Sequence, residues 1–124
     1  MLREYEFTVI SRADLPEAET LKALSKYEAL MTKDGGEIVK KDVWGSKRLA
    51  FPIRKHFKGV YTYYDFFGIP DHVHEIERLM RIDENVLRYL TINVGEAHDA
   101  ADIEKRKIEI NRPKPQERGM DDDE

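Results

Sequence analysis

Cysteine is absent from the 124-residue chain, which excludes disulfide scaffolds, thiolate metal sites and cysteine nucleophiles. A reducing cytoplasm is the expected compartment. No apolar run approaches the roughly 18 residues that a membrane span needs, and Met1-Leu2-Arg3-Glu4 offers no apolar signal stretch. Glycine-rich phosphate loops, GxSxG and HExxH are also missing. Of the four histidines, His72 and His74 are two apart in a predicted first helical turn, so their side chains diverge. They read as ordinary histidines at a helix start. No metal, cofactor or catalytic group is expected.

What is present is charge. Charged residues make up 37% of the chain and hydrophobic residues 40%, and the formal net charge is -4. That charge is unevenly spread. Residues 96–124 hold ten acids against six bases, so residues 1–95 balance. Inside the balanced part, Lys40 to Lys58 contains seven bases (Lys40, Lys41, Lys47, Arg48, Arg54, Lys55, Lys58) and one acid, Asp42. A local positive stripe of this kind suits phosphate, whatever the overall pI.

Periodicity sets the element order. Tyr5, Phe7 and Val9 alternate with polar residues as a strand ending near Ser11. Leu15, Ala18, Leu21, Leu24, Tyr27 and Met31 recur at helical spacing over Pro16 to Thr32, and Asp34-Gly35-Gly36 ends that helix. Glu37 to Lys47 reads as a second strand. Leu49-Ala50-Phe51-Pro52-Ile53 is expected at a strand end or in a loop running to Phe57, because Pro52 cannot donate to a ladder. Gly59 to Gly68 is rich in β-formers. Pro70 opens a second helix with Val73, Ile76, Leu79 and Met80 as its stripe, and Val86 to Val94 is a last strand.

The order β-α-β-β-α-β predicts an α+β, ferredoxin-like domain over residues 1–95. Four antiparallel strands are covered on one face by two helices, and the other face is left open. Residues 96–124 are expected to be a charged, flexible tail, weakly helical over Ala97 to Ile110, with Pro113, Pro115 and the closing acidic run disordered.

The same strand order serves RNA-recognition domains that stack bases on aromatics of the third strand. Lys58-Gly59 begins like their motif, but Val60 and Thr62 stand where the stacking rings belong. Tyr61 and Tyr63 are one register off, and are expected to pack on the helices or pair across strands. Phosphate contact to folded RNA therefore fits better than base readout. Arg48, Arg54, Lys55 and Lys58 bracket the expected loop, and Arg81 and Arg88 flank the turn at 82–85, where they are expected to approach each other. The alternatives are a small ferredoxin-like enzyme or a ligand-sensing module. The first lacks a catalytic constellation, and neither accounts for the Trp44–Lys55 segment.

Trp44-Gly45-Ser46-Lys47-Arg48-Leu49-Ala50-Phe51-Pro52-Ile53-Arg54-Lys55, followed by Gly59 and Tyr61, resembles the signature of the bacterial family of sixth small-subunit ribosomal proteins. Arg3-Glu4-Tyr5-Glu6 and Arg81-Ile82-Asp83-Glu84-Asn85-Val86-Leu87-Arg88 agree in order and spacing over residues 1–95. Phe51 stands where tyrosine is commoner, and Ser46 where a base is frequent. The resemblance implies a structural, non-enzymatic constituent of the ribosome that binds the central domain of small-subunit rRNA as a heterodimer with the eighteenth small-subunit protein. It places RNA contact on Arg3, Arg48, Lys55, His56, Arg81 and Arg88, and the partner surface on Trp44, Leu49, Phe51 and Pro52.

Overall fold

The computed structural model describes residues 2–96 and 99–112. Strand β1 (Arg3–Arg12) is followed by helix α1 (Glu17–Met31), a 3-10 turn (Lys33–Gly35) and strand β2 (Glu37–Ile53). Then come β3 (His56–Gly68), α2 (Pro70–Arg81), β4 (Val86–Glu96) and α3 (Ala100–Asn111). The strands form one antiparallel sheet in the order β2-β3-β1-β4. This is the expected ferredoxin-like architecture.

Strand alternation builds the core. Tyr5, Phe7 and Val9 of β1 pair with Phe66, Tyr64 and Thr62 of β3, and all six side chains are buried beneath the helices. Leu24, Tyr27 and Met31 of α1 and Val73, Ile76 and Met80 of α2 close over them. Leu21, expected in the α1 stripe, is half exposed instead, at the margin towards β2. Tyr27 passes through the core to donate its hydroxyl to Asp83 Oδ2 at 2.5 Å, tying α1 to the turn before β4. At the end of α1 the chain turns so closely that a Cβ on Gly36 would lie 2.1 Å from the Met31 carbonyl oxygen, which only glycine permits.

Two expectations are corrected. Of the two places expected for 49–53, the strand end is the one observed and the connecting loop to Phe57 is not: β2 runs 17 residues to Ile53, with its pairing to β3 interrupted between Arg48 and Ile53, and β3 begins at His56. The turn is Arg54-Lys55 alone, with Ile53 paired to His56. Pro52 is tolerated because it falls in the stretch of this edge strand, between Arg48 and Ile53, that makes no pair with β3 and so needs no ladder donor. Nor is the face opposite α1 and α2 wholly open. Helix α3, capped by Asp99 accepting from the Asp102 amide at 3.0 Å, packs over one end of it. Arg106 Nε donates to Glu4 Oε1 at 2.8 Å, Lys107 pairs with Glu37 at 2.6 Å, and Asn111 Nδ2 donates to the Val39 carbonyl at 3.3 Å. Glu4 and Tyr5 are consequently both buried although they point to opposite faces. Pro113, Pro115, the acidic run 121–124 and His98 lie outside the described residues.

Candidate nucleic-acid interface

The β2–β3 hairpin carries most of the basic stripe, and two backbone features shape it. The first is a bulge. Asp42 and Val43 oppose Tyr63 and Thr62, but the next pair is Gly45 with Tyr61, so Trp44 is the extra residue. Gly45 adopts φ 85°, the left-handed conformation such a bulge favours. The bulge keeps Trp44 on the side of Tyr61 and Tyr63, where its ring lies 6.2 and 6.1 Å from theirs, tilted by 18° and 7°. Lys47 Nζ sits 5.6 Å from the indole centroid.

The second feature is the tight turn. Arg54 and Lys55 both have positive φ, 48° and 68°. This is the backbone of a two-residue hairpin turn, built here without the usual asparagine or glycine. Arg54 compensates by donating its guanidinium to the Val86 carbonyl at 2.5 Å, which anchors the hairpin tip to the start of β4.

Beyond the bulge, Arg48 lies directly opposite Lys58, and Lys55 and His56 follow at the tip. Lys55, His56 and Lys58 line a shallow concavity with Phe57, Ala13 and Asp14. On β4, the opposite edge of the sheet, Arg88 pairs in register with Ile10 and lines a depression with Thr8, Ile10, Tyr89 and Leu90. Among the described residues no ion pair involves Arg48, Lys55, Lys58 or Arg88. His72, by contrast, is held by Asp34 Oδ2 at 2.8 Å.

Two of the expected RNA residues sit apart. Arg3 is at the far end of β1, about 30 Å from Arg12 at ~3.3 Å per residue, and pairs with Glu96 at 3.1 Å. Arg81 and Arg88 do not approach each other as expected, because they lie on opposite sides of the sheet. Arg81 Nη1 reaches the Tyr89 hydroxyl at 3.3 Å on the helix side, while Arg88, one residue earlier, faces away. Of the expected partner residues, Phe51 is 63% exposed and Pro52 is exposed, but Leu49 is buried. Leu49 and Ile10 crowd over Gly59, so Leu49 holds the hairpin to β1 and cannot present a surface. Leu90, Ile92 and Val94 form an exposed apolar row on β4, legible from their alternation.

The helix-free face is graded in charge. Its hairpin end carries Lys47 and Arg88, and its α3 end holds Glu4, Glu6 and Asp65, whereas Arg48 and Lys58 share the helix side with Ser46 and Val60. Burial pushes the Asp65 carboxyl well above the usual carboxylate range, and Glu4 adds to the rise by a hydrogen bond and by its charge, against the pull of Arg106. Glu4 Oε2 and Asp65 Oδ1 are buried and lack any other partner, so a proton held between the two carboxyls satisfies both. Burial, with Asp65 and Glu6 nearby, also raises the Tyr63 phenol, which stays neutral. Sequence reading missed this group because Arg106 lies far away along the chain.

The model of the family described as ribosomal protein S6 matches residues 4–93. The chain belongs to that family. Among its relatives is small ribosomal subunit protein bS6 of Moorella thermoacetica, 36% identical over 95 residues that cover 77% of this chain and 97% of the relative. The bS6 protein of Caldanaerobacter subterraneus subsp. tengcongensis is 38% identical and is covered over its whole length, against 77% of this chain. The crystal structure of 30S ribosomal protein S6 from Thermotoga maritima shares the fold, with a TM-score of 0.69 at 24% identity, over 90% of this chain and 100% of that one. The basic hairpin, Trp44, Arg88 and the Glu4–Asp65 carboxyls all lie within the matched residues, whereas α3 and Arg106 lie beyond them.

Proposed function

We propose that this member of a small-subunit ribosomal protein family is a structural, non-enzymatic constituent that holds the central domain of rRNA through phosphate contacts and works beside a basic protein partner, the eighteenth small-subunit protein. The observation that carries the reading is Arg48 opposite Lys58, continued by Lys55 and His56 at the hairpin tip. Like charges facing each other across two strands destabilise a sheet, and a polyanion relieves that repulsion. Arg88, without an acid partner on the opposite edge strand, offers a second phosphate contact on the helix-free face.

Family resemblance supports the choice of rRNA and partner. The charge balance of residues 1–95 supports cooperation, since a neutral domain with one basic end binds RNA weakly alone and better beside a second basic protein. Phe51 and Pro52 are suited to meet that partner. The deciding experiment is a gel-shift titration with a central-domain rRNA fragment, with and without the partner, at two salt concentrations. Tight, salt-sensitive binding is expected only with both proteins. Truncation of Arg48 or Lys55 to alanine should reduce the salt slope by about one. No binding under either condition by the folded chain overturns the reading.

A further inference from the structure

We infer that an unpaired nucleobase of the bound RNA stacks on Trp44, extending the ring stack that Trp44 makes with Tyr61 and Tyr63. The inference rests on the RNA reading above and names the part of the RNA that this surface takes. Val60 and Thr62, at the positions where related domains carry stacking rings, face α1. The helix-free face instead presents Tyr61 and Tyr63, and the bulge at Gly45 adds an indole to them from the neighbouring strand.

Trp44 is the outer member of the stack. It sits on an edge strand and is 48% exposed, whereas both tyrosines are half-buried. Its ring is nearly parallel to that of Tyr63, so a further flat ring placed on its free side continues the stack. The charges there fit a nucleotide. Lys47 Nζ lies by the indole on the same face, placed to meet a flanking phosphate, while Arg48 and Lys58, in step with Ser46 and Val60, stand on the other side of the hairpin. Asp42, the nearest acid on β2, is occupied by Lys40 at 3.9 Å, and Glu6 and Asp65 lie beside the more buried ring of Tyr63. Every base has a π-face, so such a site selects unpaired over paired nucleotides and discriminates little among sequences. A protein segment would also cover an exposed tryptophan, but the Lys47 ammonium beside this one favours the polyanion.

Trp44 is the chain's single tryptophan, which makes its fluorescence a direct reporter. The full chain, with the basic partner present in every arm, is titrated with an rRNA fragment containing unpaired nucleotides and with a fully paired duplex of equal length. Trp44→Phe is the blank for the partner's own emission. Quenching by the first RNA and not by the duplex is expected. Trp44→Ala should weaken binding roughly 5- to 100-fold without changing the salt slope, and Trp44→Phe should retain most of the affinity. Unchanged emission while salt-dependent binding persists overturns the stacking and leaves the RNA reading standing. Quenching by the partner alone, without RNA, also overturns it by placing Trp44 against protein. Absence of any RNA binding removes both readings together.

Discussion

Gly45 shows how much one residue decides. Its φ of 85° belongs to the left-handed region, and no atom lies within 4 Å of where a Cβ would stand. The demand on this position is therefore conformational and not steric crowding. Gly45→Ala should destabilise the chain by about 1–2 kcal/mol, read as a lower denaturant midpoint, and should blue- or red-shift Trp44 emission as the bulge relaxes. Unchanged stability and emission would mean that the bulge does not depend on glycine. The Trp-Gly pair was readable as a motif in the sequence. Its reason was not, because a bulge is a relation between two strands and a sequence displays only one.

At the scale of the element, the hairpin and α3 mark where periodicity stopped being informative. Arg54-Lys55 carries none of the residues that announce a tight turn, and Pro52 just before it argues for a break in pairing. The turn forms because ten β2–β3 pairs between Glu37 and Arg48 are already made on either side of the bulge, and because Arg54 bonds to Val86. Half of the residues of helix α3 are charged, and it has no buried side chain of its own. What seats it is Arg106 meeting Glu4 across the fold.

That seat is linked to pH. The folded chain keeps a proton on Asp65, whose carboxyl is raised by burial and by Glu4, while the unfolded chain releases it near the ordinary value of about 4. The folded state therefore binds more protons than the unfolded one above that value. The contribution of Asp65 to stability is complete below it and is lost as pH rises towards the raised folded pKa. Asp65→Asn, which keeps a donor for Glu4, should flatten this dependence. Urea midpoints at pH 5 and pH 9 test it: an equal loss in both proteins would show that the slope arises elsewhere.

Across the whole molecule, charge is sorted by the sheet. At the hairpin end Arg48 and Lys58 stand on the helix side, Lys55 at the tip, and Lys47 and Arg88 on the helix-free side, while the other end holds acids under α3. Arg3 belongs to the far end, already paired with Glu96. Arg88→Ala should thus lower the salt slope of RNA binding by about one, and Arg3→Ala should leave it unchanged. Equal effects from the two would show that the RNA footprint spans the full length of β1.

The sequence by itself determined the order of strands and helices, the buried positions of β1, the two helical stripes, the family and the existence of a basic segment. These follow from local periodicity and from residues close together in the chain. Only the tertiary structure decided that Arg81 and Arg88 part company, that Leu49 is buried while Trp44 is half free, that Tyr61 and Tyr63 share the helix-free face with Trp44, and that Glu4, Asp65 and Arg106 form one group. Each of these depends on register between strands or on contacts between distant segments. A shift of one residue in pairing moves a side chain to the other face, and no local pattern reports such a shift.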